Sequence, residues 1–78
     1  MTILFFYKEG SKDCERVSCL LKRSALVFYL KEINVEEDSA LVDIDRFNVC
    51  MVPTIVNEET GKKVCGKNIT EESLFSIL

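Results

Sequence analysis

Residues 2–14 decide the fold of this chain, because they read T-I-L-F-F-Y-K-E-G-S-K-D-C and change periodicity on the way. Thr2–Tyr7 is a continuous run of aliphatic, β-branched and aromatic residues, which predicts a strand buried on both faces. Gly10 ends this run. From Lys12 to Ser24 the apolar residues recur every three or four positions, which predicts an amphipathic helix. The apolar stripe of this helix contains Cys14, Val17, Leu20, Leu21 and Ser24.

The residues at both ends of this helix fit their positions. Ser11 is a suitable N-cap, since a serine hydroxyl can accept a hydrogen bond from a free N–H of the first turn. Asp13 and Glu15 lie in that first turn, where the helix dipole favours negative charge, and Lys22 and Arg23 lie at the opposite end. We therefore expect the helix to begin directly after Ser11.

The rest of the chain predicts two further helices and three further strands. Ala25–Val35 is predicted as a strand, because it contains the strand-forming residues Val27, Phe28, Tyr29, Leu30 and Ile33. The second helix covers about Ser39 to Phe47, with Ala40, Leu41, Ile44 and Phe47 on its apolar face. Strands follow at Val49–Val56 and Lys62–Cys65, separated by a turn at 58–61, and a last helix covers Thr70–Leu78 with Thr70 as its cap.

The resulting order β-α-β-α-β-β-α predicts an α/β protein with a four-stranded mixed sheet flanked by three helices. Pro53 conflicts with a central strand at Val49–Val56, because proline has no N–H to donate to a neighbouring strand. A cis peptide bond that places Pro53 in a tight turn before the strand would remove the conflict.

Composition excludes several classes of protein. A chain of 78 residues has room for one domain only, covering residues 1–78. A net charge of −3, with basic residues scattered among acidic ones, argues against nucleic-acid and membrane-surface partners. No targeting segment and no apolar run long enough for a membrane helix is present, so we expect a cytoplasmic protein.

The four cysteines, at 14, 19, 50 and 65, are expected to be reduced thiols in that compartment. We expect no metal site, because the chain has no histidine and no cysteine pair has the spacing of a zinc knuckle. Cys19 lies off the apolar stripe and is expected at the surface. Cys50 and Cys65 could both lie near the functional face, and Cys65 is an alternative resolving thiol by hypothesis.

Three segments together resemble the glutaredoxin branch of the thioredoxin superfamily, and in particular the small redoxins that donate electrons to ribonucleotide reductase. They are S-K-D-C at 11–14, V-C-M-V-P-T at 49–54 and V-C-G-K-N at 64–68, and they occur in the family's order. The resemblance covers essentially the whole chain and implies a thioredoxin fold. It also implies that Pro53 is a cis-proline facing the active site.

The resemblance implies thiol–disulfide oxidoreductase activity in which a cysteine at position 11 attacks and Cys14 resolves the mixed disulfide. Ser11 stands at the attacking position, and a serine hydroxyl is a poor nucleophile without an activating base. Ser11 also cannot form a disulfide, so this chain should not run the dithiol cycle. Two accounts stay open: an engineered replacement of cysteine, or natural loss of the first thiol.

The family's binding residues also have counterparts here. Lys8, and as a second candidate Lys12, match basic residues that meet a glutathione carboxylate, although a solvated loop is an equal interpretation. The expected substrate-binding groove contains Val52, Pro53, Thr54, Gly66, Lys67 and Asn68. Asp13 and Lys67-Asn68 depart from the glutathione-binding pattern, which weakens that expectation.

The resemblance therefore implies a monomeric electron donor to protein disulfides. The resemblance implies no tightly bound cofactor, glutathione as a candidate co-substrate, and glutathione or thioredoxin reductase as the reductant. The alternative is a non-catalytic module that binds through the cis-proline groove. A third interpretation is a monothiol carrier that acts through Cys14 with glutathione, and the expected burial of Cys14 disfavours it.

Overall fold

The structure is a computed structural model that describes all residues, 1–78. Four strands and three α-helices alternate along the chain in the predicted order. They are β1 Ile3–Tyr7, α1 Lys12–Lys22, β2 Leu30–Asn34, α2 Leu41–Arg46, β3 Thr54–Asn57, β4 Lys63–Cys65 and α3 Glu71–Ser76. Three short 3₁₀ helices occupy Ala25–Tyr29, Asp38–Ala40 and Gly66–Asn68.

The strands form one mixed sheet in the order β2-β1-β3-β4. β1 is parallel to β2, with Ile3 opposite Leu30, and antiparallel to β3, with Phe6 opposite Thr54. β4 completes the sheet as the antiparallel neighbour of β3. The end of β1 and the beginning of β3, the two central strands, therefore lie side by side at one end of the sheet, where α1 begins.

β1 is buried on both faces, as its sequence predicts, because helices cover both sides of the sheet. Ile3 and Phe5 belong to a core formed with the apolar stripe of α1 and with α3. Leu4 and Phe6 point the other way, into a smaller core formed with the 3₁₀ turn before α2 and with α2 itself. The alternation of side chains along a strand is what divides the core into two layers.

The predicted strand Ala25–Val35 is wrong in its first half, since Ala25–Tyr29 is a 3₁₀ helix. The register explains the difference: Leu30 already lies opposite Ile3, so residues before Leu30 have no strand to pair with. The Ser24 hydroxyl instead accepts a hydrogen bond from Leu26 N at 3.1 Å and begins the turn. Phe28, expected to carry the strand, is 84% exposed.

The predicted strand Val49–Val56 is also too long, because β3 begins only at Thr54. The peptide bond between Val52 and Pro53 is cis, which confirms the expected turn before the strand. Pairing with β1 begins directly after this turn, at Thr54.

The remaining boundaries differ by a few residues. α1 ends at Lys22, and α3 is limited to Glu71–Ser76. The predicted apolar face of the second helix is wrong at Leu41, which is 61% exposed, whereas Ala40 is buried. None of the helices has the length and apolar character that crossing a membrane would require.

Candidate functional site

The first turn of α1 is stabilised by Ser11, which is its N-cap as the sequence predicts. Ser11 has extended backbone angles, φ −85° and ψ 124°, and its Oγ accepts a hydrogen bond from Cys14 N at 3.3 Å. Asp13 and Glu15 lie in the same turn, near the positive end of the helix dipole. The Ser11 hydroxyl therefore already has a structural role in capping the helix.

Cys14 lies on the inner face of α1 and is only 3% exposed. It is a free thiol, and its sulfur makes no hydrogen bond within the chain. Val17 and Leu21 continue the same apolar stripe into the core. Cys14 is thus both the first core residue of the helix and the thiol nearest to its capped end.

The cis-proline loop is held rigid by hydrogen bonds to its neighbours. Thr54 is buried, and its Oγ1 donates to the Met51 carbonyl at 2.6 Å. The Pro53 carbonyl accepts a hydrogen bond from Gly66 N at 2.8 Å. Thr54 therefore fixes the shape of the loop, and the Pro53 carbonyl is already satisfied by the chain itself.

Val52 differs from its neighbours in this loop, since neither its backbone N–H nor its carbonyl oxygen makes a hydrogen bond within the chain. Its side chain packs against the core on the α2 side of the sheet. Free backbone groups next to a fixed turn can pair with an extended chain from outside, as an added strand does. Val52 is thus a residue of the predicted groove whose backbone groups are free to bind a ligand.

Arg16 connects α1 with the loop that follows β4, a role that sequence reasoning missed. Its Nη1 donates to the Ile69 carbonyl at 3.0 Å and its Nη2 to the Gly66 carbonyl at 3.4 Å. Because Gly66 N is bonded to Pro53, the chain of contacts runs from α1 through Gly66 to the cis-proline loop. An arginine in a helix has no local signature of such a role.

Gly66 itself is required by the backbone. It has a positive φ of 61°, and a Cβ at this position would lie 3.3 Å from Met51 Sδ. Both the left-handed conformation and this close approach favour glycine. The prediction of a glycine turn beside the groove is therefore consistent with the geometry.

The basic and polar residues expected to bind substrate lie at the surface. Lys8, Lys12, Lys67 and Asn68 are exposed, and none of the three lysines forms an ion pair. Lys8 and Lys12 flank the start of α1, whereas Lys67 and Asn68 lie in the 3₁₀ turn after β4. They are available to a ligand, but no contact within the chain orients them.

The other cysteines do not join Cys14. Cys19 and Cys50 are exposed, and Cys65 is half-buried. Val64 packs on the core shared with α1, so the side chain of Cys65, the next residue, points to the opposite face of the sheet. Cys65 therefore does not face Cys14, and its role as an alternative resolving thiol stays a hypothesis. No three potential ligand side chains lie close enough together to hold a metal ion.

An acidic recess of about 360 Å³ opens beside Cys14, on the flank of α1 that faces β2. We use the name acidic recess for the cavity lined by Phe5, Tyr7, Lys8, Glu9, Gly10, Cys14, Glu15, Ser18 and Glu32. Burial raises the pKa of the Tyr7 phenol, and the negative charges of Glu32, Glu9 and Glu37 raise it further. The sequence does not predict this cavity, because its walls come from separate elements.

Comparison with known proteins supports the fold. No protein-family model matches the chain, and no match is found among curated proteins. Among solved structures, the chain is similar to the thioredoxin-like protein BC3987, with a TM-score of 0.74 and 23% identity over 99% of this chain and 100% of that one. A mutant form of the same protein gives a TM-score of 0.73 and 22% identity, with 97% of each chain covered. The chain therefore has a thioredoxin-like fold.

Proposed function

We propose that this chain is a glutaredoxin-like thiol–disulfide oxidoreductase that donates electrons to protein disulfides, with Cys14 as its one motif thiol. The observation that carries the proposal is the set of contacts that ties the start of α1 to the cis-proline loop. Arg16, in the second turn of the motif helix, bonds Gly66, and Gly66 bonds Pro53. The thiol and the free backbone of Val52 are thereby held at the same end of the sheet.

Binding would use backbone groups first. An extended segment of a substrate protein, or glutathione, would pair with the free N–H and carbonyl of Val52. Lys8 and Lys12 would attract a carboxylate of this ligand at the start of α1. Lys67 and Asn68 would line the far side of the groove. None of these contacts requires the hydroxyl of Ser11, which stays on the helix cap.

In the chain as it stands the chemistry has to proceed with one motif thiol, and the burial of Cys14 makes this monothiol route slow. The Cys14 thiolate attacks one sulfur of the substrate disulfide, forms a mixed disulfide and releases the other sulfur as a thiolate, which takes up a proton. A glutathione thiolate then attacks the mixed disulfide and frees the second substrate thiol or Cys14. Two glutathione molecules supply the two electrons and leave as glutathione disulfide.

A second candidate function is a binding module without redox turnover. It is favoured by the burial of Cys14 and by the use of the Ser11 hydroxyl as a helix cap. In that case the protein has naturally lost the first thiol. The backbone of Val52 then binds an extended partner segment, and no disulfide is exchanged.

One set of variants separates these functions. In a background in which Cys19, Cys50 and Cys65 are replaced by serine, reduction of 2-hydroxyethyl disulfide is measured with glutathione and glutathione reductase, and separately with thioredoxin reductase. We expect slow, Cys14-dependent turnover with glutathione, its loss in Cys14→Ser, and a large gain in Ser11→Cys with at least one reductant. An inactive, folded Ser11→Cys variant with both reductants would leave only the binding module.

A further inference from the structure

We infer that this protein forms a symmetric dimer through the surface where α3, the end of α1 and the 3₁₀ helix Ala25–Tyr29 meet. We call this surface the α3 face; it consists of Arg23, Phe28, Glu71 and Phe75 together with the cavity beside them. Its occupant is a second copy of the chain, and each copy places Phe28 in the cavity of the other. This inference goes beyond the proposed function, and it departs from the monomer that the family resemblance implies.

The centre of the α3 face is an open, mainly apolar cavity of about 310 Å³. Three helical segments form its wall, with Leu20 from α1, Leu26 from the 3₁₀ helix and Leu74 from α3. These leucines are buried, whereas Phe75 lines the same cavity and is 75% exposed. An apolar cavity of about 150 Å³ already binds a benzene molecule. The cavity of the α3 face therefore has room for a phenyl side chain.

Phe28 is a phenyl side chain that the fold of a single chain leaves without a packing partner. It is 84% exposed and does not line the cavity of its own chain. Side chains three residues apart in a 3₁₀ helix lie above one another, so Phe28 lies on the same side of its helix as Ala25, which does line the cavity. A two-fold axis between the ring and the cavity brings each Phe28 to the cavity of the other copy.

The charges beside the cavity favour a second copy over other partners. Arg23, at the end of α1, and Glu71, in the first turn of α3, both line the cavity and are exposed. Neither forms an ion pair within the chain. A surface with one cation and one anion is complementary to itself under two-fold symmetry, because Arg23 of each copy then meets Glu71 of the other. A purely acidic or purely basic partner would leave one of these charges unpaired.

The exposed apolar area of the α3 face is sufficient for a weak dimer. A phenylalanine side chain can bury about 200 Å², so the exposed parts of Phe28 and Phe75 present about 300 Å² on each copy. An apolar patch of this size on a monomer often marks an interaction site. The four rings of a dimer bury roughly 600 Å², and Leu78 and the charged residues bring the total towards about 1,000 Å², the lower limit for a specific interface.

The proposed dimer leaves the cis-proline groove open in both copies. An α-helix rises about 1.5 Å per residue, so Arg23 lies about 14 Å along α1 from Cys14. Cys14 and Val52 lie near the start of α1, whereas the α3 face includes its end. Each copy can therefore bind an extended substrate segment at Val52 while the dimer persists.

The mass in solution as a function of concentration tests the inference. Sedimentation velocity is measured in a reducing buffer, which keeps the exposed Cys19 and Cys50 from forming disulfides between copies. Small interfaces bind weakly, so we expect the mass to rise from one chain towards two between about 1 μM and about 1 mM. A mass of one chain over the whole range overturns the inference and leaves the α3 face to a different partner.

Phe28→Ser tests whether the ring holds the dimer together. Each dimer loses two buried rings, so the dissociation constant should rise roughly a hundredfold or more. Val42→Ser is the matched control, since Val42 is an exposed apolar residue on α2, which packs on the other side of the sheet, and the dissociation constant should not change. Neither side chain is buried, and circular dichroism checks that both variants are folded. A dimer that Phe28→Ser does not weaken refutes the proposed interface.

Charge reversal tests the symmetry of the interface. Arg23→Glu and Glu71→Arg should each weaken the homodimer roughly tenfold at low salt, because each substitution places two like-charge pairs across the axis. An equal mixture of the two variants should associate again, since one copy then carries only negative and the other only positive charge at these two positions. Glu72→Arg, in the same turn of α3 but outside the cavity, is the control and should leave the dimer unchanged. A mixture that associates no better than either variant alone overturns the two-fold arrangement.

Discussion

Replacing Ser11 by alanine should lower the free energy of unfolding, because it removes the acceptor for Cys14 N. Loss of an N-cap serine typically costs about 0.5–2 kcal/mol. The bond from Cys14 N to Ser11 Oγ is long at 3.3 Å, so the lower half of that range applies. For a domain of this size, a loss of about 0.5–1 kcal/mol corresponds to a fall in Tm of roughly 2–8 °C.

Urea unfolding followed by circular dichroism measures this loss. Thr70→Ala provides an internal scale, since Thr70 and Ser73 cap α3 reciprocally and the substitution should cost more. Ser11→Gly should cost only a few tenths of a kcal/mol relative to serine. A Ser11→Ala midpoint equal to that of the unsubstituted chain, alongside a lowered midpoint for Thr70→Ala, would refute the capping role of Ser11.

The same reasoning predicts a conflict between stability and activity at this position. A thiol is a weak hydrogen-bond acceptor, so Ser11→Cys should lose stability much as Ser11→Ala does. If the proposed function is right, that less stable variant is the more active one. A reduced Ser11→Cys variant more stable than the unsubstituted chain would contradict the assignment of the hydroxyl as the cap.

Two further predictions concern the contacts around the site. Arg16→Met should speed hydrogen exchange at the Ile69 amide several-fold, because about 1 kcal/mol of local stability is lost with the bonds from this partly exposed arginine. In a Tyr29→Phe background, absorbance at alkaline pH should show Tyr7 titrating above its ordinary pKa of 10.0, and Glu32→Gln should lower that pKa. The raised pKa means that the folded state holds the Tyr7 proton more tightly than the unfolded state does. The free energy of unfolding therefore keeps this contribution in full below pH 10 and loses it as the pH rises through the folded-state pKa.

Local features of the site could be predicted well. The N-cap at Ser11 and the apolar stripe from Cys14 to Leu21 follow from residue spacing alone, and both are confirmed. Ser24, predicted as the end of the stripe, lies outside α1 and caps the next turn. A cis peptide bond before Pro53 is one way to reconcile a residue without an N–H with the strand formers around it, and the family resemblance implies it; the structure contains this bond. In each case the energetic cause lies within a few residues of the chain.

Features that depend on contacts with other elements of the fold could not be predicted. Ala25–Tyr29 has the composition of a strand, but its residues lie beyond the end of the neighbouring strand and form a 3₁₀ helix. Leu41 fits the apolar spacing of α2, yet no other element covers it and it is exposed. β-branched and aromatic residues favour a strand only when another strand is there to pair with them.

The sequence by itself determined the order of the elements, the capped start of α1 and the turn at Pro53, because these depend on backbone preferences and periodicity. Only the tertiary structure decided where strands end, that Arg16 joins α1 to the loop after β4, and that an acidic recess opens beside Cys14. The carboxylates of that recess come from the loop after β1, from α1 and from β2. Groups so far apart in the chain share an electrostatic field only after the chain has folded.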